Sequence, residues 1–526
     1  MKRCAALTLA AVGRGALGAT ESAAARPEFR TSDPRWQAAY EAALRVLAGN
    51  VRTLPQFPGP VLIEGAQYHG IWMECGPHES LVYRKFRPDV ARHSHRIFFA
   101  SQRPDGQFPA AIRATGAGFG QIQMVVPIAA TARELAEATR DEELLRAAYD
   151  ACARWDAWLT RYRDRRGTGL VEGFCTYDTG NDNSPRWAGI PNRCPDGDAR
   201  KCPPLPSLPR LCPDLSATTY GARMALAAMA RDLGLRSECD QWTERAAALR
   251  SRILSQLYSS ADAAFFDRDA QDRFVRIRSE IITRVCGEHV PGPALFDDLW
   301  RRQIGNAQAF WPAYPLPSIA VDDPHFVRPI PHNSWGGASQ ALTALRASRW
   351  LDHYGRSAEF STLMDAWCAA IQRDGTFRQQ IDPWTGVFTP GDNPAYSPCA
   401  LVMVDFTWRL AGIVEQPDAL QWNVRPGHPA ARAASFRLPL DRGGAAELIY
   451  DETGARMRLA GAALARIEGG AARVVTDGAG RIQSLVGIAH SEERVSVRLP
   501  GGGSGSVRLG PNEVIPAREL FRAQGG

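Results

Sequence analysis

Several features that would assign a chain to a common functional class are missing from this sequence. No segment approaches the ~20 consecutive apolar residues that a membrane-spanning helix needs. The formal charge of +6 is spread along the 526 residues, and no lysine or arginine run resembles a nucleic-acid-binding arm. No two histidines have the HExxH spacing of a zinc site. We therefore expect no membrane contact, no nucleic-acid partner, no catalytic metal and no cofactor.

The composition that is present is typical of a soluble globular protein. Apolar residues make up 45% of the chain and charged residues 22%. A chain of this length exceeds one ordinary core, which indicates a large domain and a smaller one. Residues 1–25 combine a basic start, a short apolar stretch and small residues, an order typical of a signal peptide. We therefore expect export and a periplasmic or secreted location; a cytosolic N-terminus without a targeting role is the alternative.

Removal of this leader with Cys4 would leave ten of the eleven cysteines. Cys194, Cys202 and Cys212 lie in a proline-rich loop, and Cys175 shortly precedes it. Their spacings are wider than those of structural zinc sites, so a disulfide that closes this long loop is the prediction and a metal site the alternative. The cysteines inside helical patterns are expected to be buried thiols.

Apolar residues recur with helical periodicity over most of the chain. The pattern starts near Pro34 and often comes in pairs separated by a short break, which predicts packed helical hairpins. Ten or more helices joined by long loops favour a mainly α fold, an (α/α)6 toroid, over residues 26–415. The predicted helices cover residues 88–101, 120–139, 141–164, 215–233, 235–258, 335–354, 357–372 and 398–412, with a weaker one at 293–304.

The pattern changes after about residue 415. Short alternating segments such as 435–440 and 494–499 are separated by turns such as Asp451-Glu-Thr-Gly, which predicts strands. We expect residues 416–526 to form a small C-terminal β-sandwich that supports the larger domain. A carbohydrate-binding role for it is an alternative that would rest on fold analogy alone.

The stretch from Glu172 to Trp187 is the richest in groups that can do chemistry. Carboxylates at Glu172, Asp178 and Asp182 are mixed there with amides, an arginine and a tryptophan. Cleavage of a glycoside needs a carboxylic acid that protonates the departing oxygen, and polar and aromatic groups that hold the sugar. The alternative is that the two aspartates cap helices or turns.

The segment Tyr177-Asp-Thr-Gly-Asn-Asp-Asn-Ser-Pro-Arg-Trp187 resembles the W-E-S-G-x-D-N-S-P-R signature of inverting α/α-toroid glycosidases. These include family 63 glycoside hydrolases, mannosylglycerate hydrolase-like proteins and, more distantly, trehalases. The segments at 331–337, 382–386 and 395–402 are similar to three further segments of that group, in the same order. The resemblance extends from about residue 100 to residue 412, and it implies the six-hairpin fold and hydrolysis of a carbohydrate.

The resemblance also implies roles for residues of the first motif. The aspartate of D-N-S-P, which is the general acid in that group, corresponds to Asp182. The preceding acidic position corresponds to Asp178, whose charge would raise the pKa of Asp182 and keep it protonated. Asn183, Arg186 and Trp187 of the same motif and Asn333 and Trp335 of the second are the implied sugar-binding residues.

One departure from the group concerns the general base. That group has a glutamate three residues before the aspartate of its Y-D-P-x-T-G segment, and counting back from Asp382 gives Gln379. A neutral amide cannot accept a proton from water, so we retain Gln379 as a binding residue only. Two carboxylates in long loops, Glu74 and Asp392, are the candidates for a relocated base, with Glu74 slightly favoured over Asp392 despite an equally plausible structural role.

Other loops supply further candidates for sugar binding. Asp105 and Gln107 lie in a segment similar to the Q-x-x-D-G-x-x-P loop of several toroid glycosidases, although a plain turn is the alternative. Gln121 is expected at the start of the next helix, facing either the cleft or solvent. A tryptophan in a loop either packs or stacks on a sugar, and we expect at least one of five to stack. The five are Trp72, Trp187, Trp311, Trp335 and Trp384.

The sequence therefore supports three hypotheses. The favoured one is an exported inverting glycosidase that uses Asp182 as its acid. The second is a sugar-binding relative that has lost hydrolysis, because Gln379 stands where a base is expected. The third is a toroid lyase or unsaturated-uronide hydrolase, in which arginines near the loops recognise acidic sugars. Those arginines are Arg84, Arg113, Arg186 and Arg328.

Overall fold

The computed structural model describes residues 26–521, so the predicted leader lies outside the described residues. Helices dominate the first part. The helices are α1 (Pro34–Gly49), α2 (Gly76–Tyr83), α3 (Pro88–Ala100), α4 (Ile128–Thr139), α5 (Glu142–Tyr162), α6 (Pro213–Asp232), α7 (Arg236–Gln256), α8 (Ile281–Gly287), α9 (Pro293–Leu299), α10 (Ala341–Arg346), α11 (Ser357–Asp374), α12 (Ser397–Ala411) and α13 (Ala517–Leu520).

Local sequence signals explain several helix ends. The Asp33 carboxylate accepts a hydrogen bond from the Trp36 backbone N–H at 3.0 Å and caps α1, and Pro34 fits the first turn, where no N–H is needed. Asp141 caps α5 in the same way through the Leu144 N–H at 2.9 Å. Gly375 ends α11 in the left-handed conformation, with a φ of 72°, which costs glycine no steric strain.

Most of the predicted helices are confirmed, with three differences. The helix predicted over 120–139 begins only at Ile128, because residues 120–127 form a buried irregular segment in which Gln123 has a φ of 43°. The helix predicted over 335–354 is confined to α10 and the 3-10 turn Ala347–Arg349 that follows it. The short helices α2 and α8 were not predicted, since both are buried on all sides and therefore lack an amphipathic period.

The packing of the helices follows a regular order. The even-numbered helices contact one another in order: α2 contacts α4, α4 contacts α6, and α6 contacts α8. Helix α8 contacts the turn after α10, α10 contacts α12, and α12 returns to α2. The intervening helices pack as partners, as in the pairs α2–α3, α4–α5, α6–α7 and α11–α12. The succession of helices therefore closes on itself.

Helices α1 and α12 join the two ends of this succession. The Trp36 indole N–H donates to Thr407 Oγ1 at 2.9 Å, and the Trp408 indole N–H donates to the Tyr40 hydroxyl at 3.0 Å. All four side chains are buried, so each indole N–H has the partner that burial of a tryptophan requires. These contacts fix the start of the helical region to its end.

Short strands lie in the long loops of the helical region, where they form small antiparallel ladders. They are β2 (Val51–Thr53), β3 (Pro60–Leu62), β4 (Gly70–Trp72), β5 (Ala111–Arg113), β6 (Gly116–Gly118), β7 (Glu172–Gly173), β8 (Arg210–Leu211), β9 (Tyr258–Ser259), β10 (Ala264–Phe265), β11 (Asp267–Arg268), β12 (Phe274–Val275), β13 (Ser339–Gln340) and β14 (Gln380–Ile381). Pairs such as β4–β5, β7–β8 and β13–β14 hold loops from distant parts of the chain together.

The C-terminal part forms two antiparallel sheets, and the first strand of the chain, β1 (Glu28–Arg30), belongs to one of them. The other strands of the two sheets are β15 (Ile413–Glu415), β16 (Ala419–Val424), β17 (Ser435–Pro439), β18 (Ala445–Tyr450), β19 (Gly454–Leu459), β20 (Ala462–Gly469), β21 (Ala472–Asp477), β22 (Ile482–Gly487), β23 (Glu493–Arg498), β24 (Ser504–Leu509) and β25 (Val514–Pro516).

The seven-stranded sheet has the order β1-β17-β18-β19-β20-β23-β24, and the five-stranded sheet has the order β15-β16-β21-β22-β25. The two sheets touch through β15 with β17 and β18 and through β16 with β19. Alternating residues such as Leu448, Met457 and Val474 are buried, as strands with one face on a core require. The strand prediction for this region is confirmed. Within residues 26–521, no helix has both the length and the apolar character needed to cross a membrane.

Candidate active site

A chain of hydrogen bonds joins four loops around Asp182. Asn333 Nδ2 donates to Asp182 Oδ2 at 3.1 Å, and Gln379 Nε2 donates to Asn333 Oδ1 at 2.8 Å. The Tyr68 hydroxyl donates to Gln379 Oε1 at 2.8 Å. The Trp335 backbone N–H donates to the Asp182 carbonyl at 2.9 Å. The structure thus brings together Asp182, Asn333 and Gln379, which the sequence placed in three separate motifs.

Asn183 also belongs to this junction of loops. Its side-chain Nδ2 donates to the Asn333 carbonyl at 2.7 Å, and its backbone is in the left-handed region with a φ of 55°. Asn333 has a φ of 44°. Asparagine tolerates this conformation better than most residues do, because its short polar side chain bonds locally. The two asparagines therefore fix the turn that presents Asp182.

The Asp182 carboxyl group is held in a form that can donate a proton near neutral pH. Its removal from water raises its pKa to about 7, and the nearby Glu74 carboxylate adds to this effect. The Asn333 amide and the more distant Arg193 act in the opposite direction. Among the described residues, no cation forms an ion pair with Asp182. A carboxylic acid with such a pKa can protonate a leaving group at pH 7.

Three further carboxyl groups interact with one another and, through Glu74 and Glu64, with Asp182. We call Asp182 and these three (Glu64, Glu74 and Glu79) the carboxyl cluster. All three glutamates are buried. Burial raises the pKa of Glu64 well above its usual value, with contributions from Glu79, Glu74 and Asp182. Burial likewise raises the pKa of Glu79 to about 7. Mutual repulsion and burial therefore keep protons in this part of the protein.

Glu74 is held against the loop that carries Asp182. Its Oε1 accepts a hydrogen bond from Gln123 Nε2 at 3.1 Å, and Gln121 Nε2 supports Gln123 at 3.0 Å. Its Oε2 abuts Gly180, where an added Cβ would approach within 2.0 Å. Gly180 has a φ of 63°, so glycine is required there for conformation as well as for space. Glu74 thus packs beside the acid's own loop, although the sequence slightly favoured it as the base on the far side of the sugar.

The structure places Asp178 away from Asp182, contrary to the prediction that it supplies the neighbouring charge. Its carboxylate forms a fully buried ion pair with Arg163 and accepts the backbone N–H groups of Ile122, Phe174 and Cys175. These bonds occupy both carboxylate oxygens. The neighbouring charge that acts on Asp182 comes from Glu74 instead. The alternative interpretation, that Asp178 organises turns, agrees with this geometry.

Arg186 also differs from its predicted role in sugar binding. Its guanidinium is buried and donates to both oxygens of Asp214 and both oxygens of Asp267, with all four distances at 2.7 Å. It also donates to Asn181 Oδ1 at 3.0 Å. These bonds use every N–H of the guanidinium, so none is left to bind a ligand. Arg186 fixes the base of the loop that carries Asp182.

The tryptophans of the motifs are mostly packed inside the protein. Trp187 is buried and its indole N–H donates to Thr179 Oγ1 at 3.0 Å, while Trp335 is buried with the Arg284 guanidinium 5.3 Å from its ring. Trp311 packs edge-on against Trp300. For the buried Trp187 and Trp335 the packing interpretation fits better than sugar stacking, because neither ring is open to a ligand. Trp311 is half-buried, and its contact with Trp300 agrees with packing as well.

Of the five tryptophans, Trp384 is the most exposed, and Trp72 is buried beside the hydrogen-bonded Tyr68. Trp72 packs edge-on against Tyr68 of the hydrogen-bonded chain, and the exposed Arg113 lies 5.0 Å from its ring centre. Trp384 is 36% exposed, with Arg328 stacked 3.5 Å above its ring. Both therefore stay candidates for contact with a sugar.

Asp105 and Gln107 form a turn of their own. Asp105 Oδ1 accepts the Gln107 backbone N–H at 3.2 Å, and its other oxygen lies 3.4 Å from Arg200. The Gln107 side chain is buried between Arg103 and the Phe119 carbonyl. Neither residue has a hydrogen bond to the carboxyl cluster, so the turn interpretation agrees with this geometry better than sugar binding does.

Asp392 lies beside the series of hydrogen bonds that joins Tyr68, Gln379, Asn333 and Asp182. Its carboxylate bonds His332 Nδ1 through Oδ1, and its Oδ2 is buried without a partner among residues 26–521. Burial raises the pKa of Asp392, against the lowering effects of His332, the Asn333 backbone N–H and Arg378. The Asp392 charge in turn contributes to the raised pKa of Tyr68. Asp392 therefore belongs to the same cleft as Gln379.

All ten cysteines among the described residues are free thiols, so the disulfide predicted for the proline-rich loop is absent from this part of the chain. Cys175 and Cys194 come within 3.7 Å of each other through their sulfur atoms. Two buried groups combine cysteine and aspartate atoms within 4.8 Å of one another: Cys175 with Asp178 and Cys194, and Cys212 with Asp214 and Asp267. In both groups an arginine already bonds the carboxylates and supplies the positive charge that a metal would bring.

A cavity of about 440 Å³ lies away from the motif loops, between α2, α4 and the first strands of the C-terminal sheets. Its charged groups are largely matched, since Lys85 bonds both Glu415 and Asp441. The carboxyl cluster does not line it, and the chemistry described above therefore belongs to the separate cleft between the motif loops.

Three residues of the cleft were not predicted from the sequence: Glu64, Tyr68 and His332. Glu64 follows the buried strand β3 and accepts a bond from the Tyr396 hydroxyl at 2.7 Å. The available signal for Glu64 was a carboxylate that follows an apolar strand and precedes Gly65. Burial of an unpaired charge is costly, so a carboxylate in such a place indicates a functional role. His332 was visible only as part of its motif.

Comparison with solved structures supports the same fold over the helical region. A family 63 mannosylglycerate hydrolase from Thermus thermophilus, solved with Tris and D-glycerate, has a TM-score of 0.57 at 20% identity and covers 70% of this chain and 100% of its own. Neutral trehalase from Saccharomyces cerevisiae has a TM-score of 0.53 at 12% identity, covering 69% of this chain and 80% of its own.

A rhamnosidase of glycoside hydrolase family 78 from Bacillus sp. GL1 has a TM-score of 0.55 at 14% identity, covering 80% of this chain and 40% of its own. At these identities the likeness concerns the fold alone. No curated protein matches the sequence.

A family model matches the chain more specifically. The model of the mannosylglycerate hydrolase MGH1-like glycoside hydrolase domain matches residues 68–408, which include every motif loop of the cleft. This range extends from Tyr68 to the end of α12 and exceeds half of the chain. The predicted resemblance to mannosylglycerate hydrolase-like glycosidases is therefore confirmed. The chain is a glycosidase that belongs to the mannosylglycerate hydrolase MGH1-like family of glycoside hydrolases.

Proposed function

We propose that this glycosidase hydrolyses its substrate with inversion and that Asp182 is the general acid. The observation that carries the proposal is the Asp182 carboxyl group, which has a pKa raised to about 7 and lies at the junction of the motif loops. An acid must be protonated when the glycosidic oxygen departs, and burial beside Glu74 maintains that state. The buried ion pairs of Asp178 and Arg186 hold the loop rigid around it.

The fold that positions this site is, in our proposal, an (α/α)6 toroid with a C-terminal β-sandwich. The closed succession of α2, α4, α6, α8, α10 and α12 supports an inner ring, and the remaining long helices supply the outer partners. The loops that carry Glu74, Asp182, Asn333 and Gln379 adjoin this succession and meet at one cleft. The boundary between the two parts lies near residue 415, after the end of α12.

The substrate that fits this cleft carries an acidic group beside the scissile sugar. Two exposed arginines, Arg113 and Arg193, flank Tyr177 and have no ion pair among residues 26–521. A guanidinium presents paired donors to a carboxylate. D-Glycerate, the acid bound in the Thermus thermophilus hydrolase, has such a carboxylate. A glycoside of a small hydroxy acid is therefore the first substrate class to test.

Export to the periplasm or beyond is also part of the proposal, and it rests on the leader pattern of residues 1–25. Expression of the full chain, followed by fractionation and mass spectrometry of the mature N-terminus, tests export. Retention of Met1 in a cytosolic fraction would contradict it.

The central experiment compares the wild-type protein with Asp182→Asn on a panel of glycosides. The panel contains neutral disaccharides and glycosides of small hydroxy acids, and NMR follows the anomer that appears first. Turnover in the wild type, its loss in Asp182→Asn and initial release of the inverted anomer would support the proposal. Turnover that Asp182→Asn leaves unchanged would contradict the role of Asp182, and initial release of the retained anomer would contradict inversion.

A further inference from the structure

The position where related enzymes carry a general base is occupied here by an amide that is hydrogen-bonded through both its oxygen and its nitrogen. Gln379 accepts from the Tyr68 hydroxyl through Oε1 and donates to Asn333 Oδ1 through Nε2, both at 2.8 Å. An amide has no basic site for a proton from water. In an inverting mechanism the water must nonetheless lose a proton as it attacks. Another side chain of this cleft must therefore accept that proton.

The carboxyl groups of the cleft are not placed to accept a proton from the attacking water. Glu74 abuts Gly180, two residues before Asp182, and Glu64 is bonded to the Tyr396 hydroxyl. Glu74 therefore lies with Asp182, whose pKa it raises. The Glu64 carboxyl acts on Tyr68 as well, but burial raises the pKa of Glu64 well above its usual value, so it keeps its own proton and does not accept one from water. Asp392 adjoins Gln379 through Tyr68, but its side chain is 0% exposed and cannot reach a water in the open cleft.

His332 connects the buried Asp392 to the open cleft. Its ring bonds Asp392 through Nδ1, and its side chain is 47% exposed. The other ring nitrogen, Nε2, has no hydrogen-bond partner among the described residues. A carboxylate on one nitrogen fixes the tautomer and orientation of an imidazole and leaves the other nitrogen as the acceptor. This is the arrangement of a general base and the residue that orients it.

The same geometry places His332 and Asp392 beside Gln379, the residue at the position of the general base in related enzymes. His332 directly precedes Asn333, whose amide joins Asp182 to Gln379. The Asp392 charge acts on Tyr68, which bonds Gln379. The other charged group near Asp392 is Arg378. Its guanidinium donates a hydrogen bond to the Asp392 carbonyl, and its charge lowers the pKa of the Asp392 carboxyl group. His332 and Asp392 thus lie on the wall of the cleft that Gln379 and Tyr68 form.

We propose that His332 is the general base of this glycosidase and that Asp392 is its positioning residue. This inference rests on the proposed function. The His332 Nε2 removes a proton from water as the water oxygen bonds to the anomeric carbon. The bond from that carbon to the glycosidic oxygen breaks, and Asp182 gives its proton to the departing oxygen. One water is consumed, and the proton on His332 returns to Asp182 through solvent.

A second histidine provides a matched control. His325 lies seven residues earlier and bonds Asp323 Oδ1 through Nδ1 at 3.0 Å, with side chains 49% and 3% exposed. The two pairs have the same chemistry and similar exposure, but no described contact joins His325 to the hydrogen-bonded chain of Asp182. A general loss of loop structure would affect both variants, whereas loss of a base affects only one.

The experiment measures turnover of the same glycoside by wild type, His332→Ala, His325→Ala and Asp392→Asn. We expect kcat to fall about 10²–10⁴-fold in His332→Ala, the contribution typical of a general base, and less in Asp392→Asn. His325→Ala should retain wild-type kcat. Added azide, which attacks without deprotonation, should restore cleavage by His332→Ala and release the glycosyl azide of inverted configuration. The acid limb of the wild-type pH–rate profile should be absent from His332→Ala.

The outcomes separate this inference from the proposed function. Wild-type kcat in His332→Ala, with turnover lost in Asp182→Asn, overturns His332 as the base and leaves the hydrolase intact. A loss in His332→Ala that azide does not restore, while circular dichroism and sugar binding are unchanged, also overturns it. No turnover by the wild type on any glycoside of the panel overturns the proposed function and, with it, this inference.

Discussion

Two groups of buried ionisable side chains meet in the segment 178–186, and they are built in opposite ways. In the first, which we call the ionic scaffold, Arg163 pairs with Asp178, and Arg186 pairs with Asp214 and Asp267. In the carboxyl cluster, none of the four acids forms an ion pair among residues 26–521. Asp178 and Asp182 are separated by only three residues, yet one belongs to each group.

The difference shows what each group contributes. Each buried charge of the scaffold is tolerated because an oppositely charged side chain is paired with it. These ion pairs hold the loop in place. The acids of the cluster form no ion pair in the described part of the chain, and burial and mutual repulsion raise the pKa values of Asp182, Glu64 and Glu79, so these three hold their protons more tightly beside the Glu74 charge. The scaffold thus stabilises the loop, whereas the cluster supplies a proton. The following predictions test this contrast, from the largest expected effect to the smallest.

The largest effect should come from Asp182→Asn. The amide keeps the hydrogen-bonded shape but has no proton to donate, so kcat should fall by about 10²–10⁴-fold. The midpoint of urea unfolding should stay the same or rise, because a buried group without a cationic partner has been made neutral. Steady-state kinetics and an unfolding curve on one preparation provide both measurements. A lowered midpoint would place Asp182 in the scaffold.

Asp178→Asn should reverse this result. Removal of one partner leaves the Arg163 charge buried and unpaired, which costs about 3–5 kcal/mol in the free energy of unfolding. Activity should then decline in proportion to the folded fraction. Urea unfolding followed by tryptophan fluorescence measures the change. A stable variant with a specific loss of kcat would contradict the separation between scaffold and cluster.

A shift in pH dependence is expected from Glu74→Gln. Asp182 must be protonated to act, so the rate should fall as pH rises through its pKa of about 7. The Glu74 charge raises that pKa, and the neutral variant should therefore lose activity at a lower pH than wild type. The alkaline limb of kcat/KM against pH gives the measurement. A limb that stays in place would mean that Glu74 does not act on Asp182.

Asn333→Ala should move the same limb in the other direction. The Asn333 amide donates to Asp182 and so stabilises its ionised form, which lowers the pKa of the acid. Without this donor Asp182 should hold its proton to a higher pH. The absolute rate also falls, since Asn333 positions Gln379 as well, and the position of the limb is therefore the measurement that decides. Shifts of the same sign in both variants would exclude this assignment.

The smallest effect is expected from Asp105→Asn. Asp105 caps its own turn and faces Arg200 at the surface, and exposed pairs of this kind contribute about 0.2–1 kcal/mol. Both kcat and KM should stay within about twofold of wild type, which corresponds to ~0.4 kcal/mol. A large rise in KM would restore the original prediction that this loop binds the sugar.

The sequence predicted the helical region and the strands well, because both depend on local periodicity. It missed α2 and α8, whose residues are buried on all sides and therefore show no polar face. It also assigned Gln121 to a helix start, whereas residue 121 lies in an irregular buried segment that supports Glu74 through Gln123.

The site was harder to predict than the fold. The motifs indicated which loops meet, and the structure brings Asp182, Asn333 and Gln379 together. The partners of a charged side chain, however, come from distant parts of the chain: Arg163 neutralises Asp178, and Asp214 and Asp267 engage Arg186. Spacing within a motif cannot distinguish a paired carboxylate from an unpaired one, so Asp178 and Asp182 looked equivalent.

The first described strand has a consequence for how the chain is made and handled. β1 (Glu28–Arg30) pairs with β17, so Phe29 lies opposite Phe436 although about 400 residues of sequence separate them. A ribosome releases one edge of that sheet about 400 residues before the neighbouring strand. The sheet cannot be completed until the helical region between them has emerged, which makes its closure a late, long-range step. A tag inserted near residue 28, or removal of β1, would therefore disturb a sheet whose other strands lie about 400 residues later in the sequence.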